Sequence, residues 1–334
     1  MNTAGADVAP AVTKGTRMSG SKEAMAIALL VGAALTGCRK APAARVPLHH
    51  LFGPVIGNEV IAGWAEAASP DDRVVLLVGE QALVQIDITK RRSERHAIAV
   101  PTGTSCWGLA RLRDGSLWTL KGRRGVMQIS ERGDVLKERP LDSPQFGLFA
   151  HEDRLLLQPA DFQPPAPVLY AWRPGNETRT PWSGLRSRPF NLARTSVAAL
   201  NMITCGVGRR GERPCWFPDE AAMTLIDGSG VMRRVFLPGL EVVRPEVLLT
   251  SDNPPRPVRD AFVDAAGTIW VISSGLPVDG AEDQPGGWIL ARYSSSGERF
   301  ATQLLAEPVR LILRAEPGRA VVLTGSGMVA ELVQ

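Results

Sequence analysis

The feature that most limits what this chain can become is Cys106 to Leu141, CWGLARLRDGSLWTLKGRRGVMQISERGDVLKERPL. An apolar run, Trp107 to Leu112, ends in Asp114-Gly115, and Ser116 to Leu120 follows at once. Then come a basic turn (Lys121 to Gly125), Val126 to Ile129, a second turn (Glu131 to Asp134) and a polar last segment. Asp-Gly between two apolar or alternating runs is a strong short-range hairpin signal, so the stretch predicts four short antiparallel strands. One such sheet alone would leave both faces wet, and it must therefore stack on copies of itself.

The copies are present. An apolar second strand after a tight turn recurs at Arg73 to Leu77, Ser116 to Leu120, Arg154 to Leu157, Arg213 to Phe217, Thr268 to Ile272 and Arg319 to Leu323. A third strand follows each of them: Leu83 to Asp87, Val126 to Ser130, Val168 to Trp172, Ala222 to Ile226, Ile289 to Tyr293 and Met328 to Leu332. Trp118 and Trp270 hold the same slot in the second and fifth copies, which sets the repeat at roughly 51 residues. The predicted fold is all-β, a six-bladed β-propeller of four-stranded blades, with seven blades as the alternative. The sixth copy has three strands. The spare apolar segment Leu48 to Ile56 is expected to supply its fourth and so remove an exposed edge.

The first 38 residues follow other rules. Lys14, Arg17 and Lys22 precede the apolar run Ala24 to Leu35, and Leu35-Thr36-Gly37-Cys38 comes directly after it. A basic segment, a short apolar segment and small residues at the cut predict a secretory signal peptide, with Met18 a plausible true start. Twelve apolar residues are too few to span about 30 Å of hydrocarbon as an anchor helix. The tetrapeptide resembles the bacterial lipobox, which implies that Cys38 is acylated and becomes the mature N-terminus. The expected division is a signal peptide over 1–37, a lipidated tether over 38–46 and the propeller over 47–334. Arg39 is not Asp; by resemblance to enterobacterial sorting, this implies the periplasmic face of the outer membrane.

Removing residues 1–38 leaves 35 basic and 32 acidic side chains, a net charge of +3. Only six of the 38 basic residues are lysine, and no basic run carries interleaved aromatics, so nucleic acid is not an expected partner. The expected partners are the membrane, through the lipid, and an envelope protein or small ligand. Of the remaining cysteines, Cys205 and Cys215 flank a turn-rich segment, and in an oxidising compartment they either pair or stand as two buried thiols. Cys106 reads as a small core residue. Three cysteines without Cys-x-x-Cys spacing give no zinc motif, and no cofactor is implied. The four histidines, His49, His50, His96 and His151, are expected at the surface or at strand edges. Trp107, Trp118, Trp216 and Trp270 are expected to pack between blades.

Asp114-Gly-Ser-Leu-Trp118 and Ala266-Gly-Thr-Ile-Trp270, with Arg292 to Glu298, resemble the blade hairpins of NHL-type propellers. The resemblance implies a fold and no activity. Propellers of the gluconolactonase type hold a divalent cation in the central channel through one Glu, one Asn and one Asp. The corresponding candidates are Glu59, Asn201 and Asp260, although the motifs around those ligands in that family are missing here. Oxygen ligands of this kind suit a hard cation. Two function classes follow: a non-enzymatic, lipid-anchored binding scaffold, which is favoured, and a metal-dependent hydrolase or lactonase. Three interruptions of the rhythm, near residues 160–167, 201–213 and 277–287, mark loops where binding would reside.

Overall fold

The computed structural model describes residues 45–66, 73–160, 166–176, 178–182, 187, 201–208, 212–227, 229–240, 242, 258–274 and 287–333. Cys38, the signal segment, residues 39–44 of the tether and nearly all of the acidic loop 277–287 lie outside them. Everything described belongs to one compact unit, Arg45–Gln334, and consists of strands, bridges and turns.

Two short strands, β1 (Arg45–Val46) and β2 (His49–Phe52), come first. The first sheet is β3 (Ile61–Glu66), β4 (Arg73–Val78), β5 (Ala82–Asp87) and β6 (Arg92–Ala97). The second is β7 (Cys106–Arg111), β8 (Leu117–Lys121), β9 (Gly125–Ile129) and β10 (Val135–Pro140). The third is β11 (Gln145–His151), β12 (Arg154–Pro159), β13 (Tyr170–Trp172) and β14 (Thr180–Pro181). Then come β15 (Thr204–Cys205), β16 (Val207–Gly208), β17 (Arg213–Trp216), β18 (Ala222–Ile226) and β19 (Met232–Phe236), of which all but β16 form the fourth sheet. β20 (Val258–Val263), β21 (Ile269–Ser274), β22 (Trp288–Tyr293) and β23 (Arg299–Leu305) build the fifth. β24 (Val309–Glu316), β25 (Arg319–Thr324) and β26 (Val329–Val333) build the last, with β2 added antiparallel to β26 through His49↔Glu331 and Phe52↔Val329.

Five sheets are therefore four-stranded blades of an all-β propeller, and the expectation of six or seven such blades is corrected at the fifth sheet. That sheet has six strands because chain from two other places pairs with its edges. Arg45 and Val46, expected in a free tether, run parallel to Leu304 and Leu305 of β23. Val207 and Gly208, expected in a loop, run parallel to Phe262 and Val263 of β20. In each case two residues satisfy backbone groups that an open edge would leave to solvent.

The second strand of each blade explains why the sheets must pack on both faces. In β4, Val74 to Val78 are all at most 1% exposed, and β12 and β25 repeat the pattern. A strand buried on both faces reads as a continuous apolar run, because each of its two faces meets a neighbouring sheet. The outermost strands carry the opposite composition: β6 is Arg-Ser-Glu-Arg-His-Ala and nearly all exposed. Among the described residues, six apolar seams follow one another around the ring. One joins Leu83 of the first sheet to Leu117 of the second, and another joins Leu76 of the first to Leu323 of the last. Cys106 lies in the first of these seams, fully buried, and burial pushes its thiol up to about 11.

Turn chemistry sets the spacing between sheets. Asp264 accepts N–H bonds from Ala266 (2.8 Å) and Thr268 (2.9 Å) through Oδ1, and from the Trp270 indole (2.9 Å) through Oδ2. One buried carboxylate thus ties the hairpin turn to the largest side chain in the seam. In the β9–β10 turn, Gly133 has φ +89°, and a Cβ there would run into the Ala97 carbonyl oxygen of the preceding sheet. The Ala99 N–H donates to the Gly133 carbonyl at 2.9 Å across the same junction.

Candidate functional site

The innermost strands of every sheet but the fourth share an irregularity. Pairing with the second strand slips by one residue between Ile61 and Gly63, Trp107 and Leu109, Gln145 and Gly147, Val258 and Asp260, and Val309 and Leu311. Each slip is a β-bulge near the start of the inner strand, and a bulge re-aims the side chains beside it. In β7 the extra residue is Gly108 at φ +59°, and a Cβ there would lie 3.0 Å from Leu148 Cβ. The buried Thr119 hydroxyl donates to the Gly108 carbonyl at 2.8 Å and holds the bulge in place. Cys106 and Leu109 stay in the same seam, between the first and second sheets, while Trp107 is left 37% exposed.

Trp107 faces a cavity of about 1020 Å³ walled by β3, β7, β11, β15 and β16. At the mouth, where the inner strands begin, Trp107, Phe146 and Thr204 line it, with the buried Gln145 and Gln158 behind them. The Arg123 guanidinium carbon sits 5.4 Å from the Phe146 ring centroid, within cation–π range. The Gln145 N–H donates to the Arg123 carbonyl at 2.8 Å, which joins the β8–β9 turn to the start of β11. At the far end, Arg111 Nη1 pairs with Glu131 at 2.8 Å, the Arg113 N–H donates to the Glu152 carbonyl at 2.7 Å, and Arg213 Nη1 donates to the Gly206 carbonyl at 2.6 Å. Four arginines and two glutamates line the cavity, so its wall carries net positive charge. Such a wall can hold an anion and stack a ring.

Trp118, Trp216 and Trp270 sit in seams, at most 4% exposed; Trp107 does not, and the expectation that it packs between blades is corrected. His151 is likewise not a surface residue. It is 5% exposed, lines the cavity, and its ring centroid is 5.2 Å from that of Trp182. His50 is exposed and meets Glu307 at 2.6 Å.

Cys205 and Cys215 face each other as a cross-strand pair of β15 and β17 and are disulfide-bonded. Cys205 also lines the cavity. The bond anchors β15 to the fourth sheet just before the chain crosses, through Gly206, to pair as β16 with the fifth. Residues 201–208 are thus a bridge between two sheets and not the loop excursion expected of them.

Glu59, Asn201 and Asp260 occupy three different settings, and none of them lines the cavity. Glu59 precedes β3, accepts the Gly57 N–H at 2.8 Å and pairs with Arg95 at 2.7 Å; the Gly57 bond and Arg95 hold its carboxyl below the usual range. Asn201 lies in a turn before β15, is fully buried, and its carbonyl accepts from Gln158 Nε2 at 3.1 Å. Asp260 lies in the bulge of β20, 3% exposed, and its Oδ2 accepts the Ile312 N–H of β24 at 2.7 Å. Its carboxyl therefore stitches the fifth sheet to the last.

Burial pushes the Asp260 carboxyl up to about 7, against the pull of the Ile312 and Ala261 N–H groups. A carboxyl raised in the folded state stabilises the fold fully below its unfolded value of about 4, and the contribution fades as pH rises through 7. Asp260→Asn keeps an acceptor for Ile312 and removes the charge. Relative to wild type, the variant should gain a few kcal/mol between pH 4 and pH 8, because each tenfold change in proton affinity is worth about 1.4 kcal/mol. Chemical unfolding at both pH values checks this; a stability difference that does not change with pH contradicts the assignment. Asp260→Ala should cost roughly 1–3 kcal/mol by leaving a buried N–H without an acceptor, more than a simple packing change.

No family model matches the chain, and no curated protein is similar to it in sequence. Solved structures are similar in fold. Regucalcin from Agrobacterium tumefaciens, described as a calcium-binding protein, is 12% identical over 87% of this chain and 95% of its own, with a TM-score of 0.48. A protein of unknown function from Bacteroides caccae is 14% identical over 74% of this chain and 82% of its own, with a TM-score of 0.46. Virginiamycin B lyase from Staphylococcus aureus is 13% identical over 86% and 87%, with a TM-score of 0.38. At these identities and TM-scores the likeness carries no argument about what this chain does.

Proposed function

We propose that this chain is a lipid-anchored envelope propeller that holds a small ligand in its central cavity and does not transform it. The observation that carries the binding reading is Trp107. An indole 37% exposed on the wall of a 1020 Å³ cavity, fixed there by a glycine bulge and a buried threonine, is a built surface. Concave sites with aromatic walls and a few placed polar groups are where proteins take up small molecules. Lipid anchoring rests on the apolar run Ala24 to Leu35 followed by Leu-Thr-Gly-Cys38, and Arg39 supports the outer membrane. Once acylated at Cys38, the chain would keep the propeller at the membrane surface with its cavity open to periplasmic solutes. The alternative reading as a metal-dependent hydrolase depends on Glu59, Asn201 and Asp260, whose partners are described above.

Two measurements test these parts separately. Protein purified from its native cells should carry a bound small molecule, seen as added mass under native ionisation, and Ala62→Trp, which fills the mouth, should lose it. Equal added mass in both proteins, or none in either, contradicts the cavity reading. Labelling with a fatty-acid probe should mark wild type and not Cys38→Ser; equal labelling rules out the lipid anchor.

A further inference from the structure

Resting on the cavity reading above, we infer that the ligand is an acidic saccharide, a short uronic-acid-containing oligomer bound at the mouth of the channel. Three observations point to this class. First, the mouth pairs one open indole face, Trp107, with a guanidinium, Arg123, held 5.4 Å above the Phe146 ring. The apolar C–H face of a pyranose stacks on an indole, and a carboxylate on the same ring takes the guanidinium as a charge-assisted partner.

Second, the positive charge at that level of the ring is not confined to Arg123. The bulge that carries Phe146 in the third sheet carries Arg259 in the fifth and Arg310 in the last. Arg310 donates to the Glu59 carbonyl at 3.0 Å and the Gly325 carbonyl at 2.7 Å, so its charge is held by neutral oxygens and is not cancelled. Neither Arg259 nor Arg310 lines the cavity, so they bear on an anion at the mouth only through the field of the ring, to which Arg123 adds directly at the lining.

Third, the surroundings favour a polyol over a flat aromatic acid. A planar hydrocarbon ring gains most when both faces leave water, and Trp107 offers one face beside an open, wide cavity. Thr204 is exposed on the lining and suits a hydroxyl, and the buried Gln145 Oε1, whose amide N–H groups go to Ser143, has no partner and is costly to cover with hydrocarbon. A volume of about 1020 Å³ exceeds one sugar ring and suits a short oligomer.

The test is calorimetric titration of the purified protein with trigalacturonate, maltotriose and benzoate, read alongside tryptophan emission. Trigalacturonate should bind and change the emission, maltotriose should bind at least about tenfold more weakly, and benzoate should not compete. Arg123→Gln should weaken trigalacturonate about tenfold. Trp107→Ala should weaken it by roughly fivefold or more, whereas Trp107→Phe should keep the heat of binding and lose the emission change. Arg139→Gln, in an outer strand over Trp172, should leave the affinity unchanged. Equal binding of maltotriose, tighter binding of benzoate, or no heat with any probe overturns the saccharide assignment. If native protein carries a molecule that Ala62→Trp loses, yet trigalacturonate does not bind, the ligand class is wrong and the cavity reading stands.

Discussion

Each blade of this protein is a sheet whose second strand has no face that tolerates water. Leu76 and Leu77 point to opposite sides of β4, and both are fully buried. Burying each such side chain is worth about 1.5–3 kcal/mol, and it is gained only when a sheet stands on either side. An open stack would leave two end sheets with an uncovered face; a ring leaves none. The seam in which Leu76 and Val84 meet Leu311 and Leu323 closes that ring, and β2, lying on β26, finishes the sheet on the far side of it. The architecture follows from this two-sided burial more than from any single hydrogen bond.

Closing the ring creates a channel, and the inner-strand bulges decide what faces it. A regular strand at Trp107 would alternate between the seams on its two faces without interruption. The extra Gly108 resets that alternation, so Cys106 and Leu109 both fall in the seam with the first sheet and the indole stands free between them. The same device in β11 and β20 gives Phe146 its place at the mouth and turns Asp260 into a stitch to β24. On the opposite wall the Cys205–Cys215 bond fixes the point at which residues 204–208 leave one sheet for the next. β16 then stands between the cavity and β20, so the lining comes from the first four sheets and from β16 itself.

Much of this is legible in the sequence, and the gaps have physical causes. The hairpins can be read from Asp-Gly turns and from apolar runs buried on both faces, and these carry the propeller. The six-stranded fifth sheet cannot be read, because two-residue pairings such as Val207↔Phe262 depend on tertiary proximity and leave no local pattern. A period-2 reading puts Trp107 in a seam because it assumes an unbroken strand. The Trp-Gly pair is the available signal, since a glycine inside a strand marks a bulge or a close approach. His151 does fall at a strand edge, but it ends an inner strand, where a polar residue faces the channel and not bulk solvent. Asp260 is recognisable as an inward carboxylate, but its partner is the Ile312 N–H, which no spacing in the sequence reveals.

The Trp107 indole stands open in the channel wall, which partly buried Trp64 also lines, while most of the others are packed between sheets. Trp118, Trp172, Trp182, Trp216 and Trp270 are all at most 4% exposed, and Trp64 and Trp288 are partly buried. Collisional quenching by acrylamide of wild type and Trp107→Phe measures this directly. Trp107→Phe should abolish the largest share of the readily quenched emission at an unchanged melting temperature. Quenching that is the same in both proteins would place Trp107 in a seam and contradict the account.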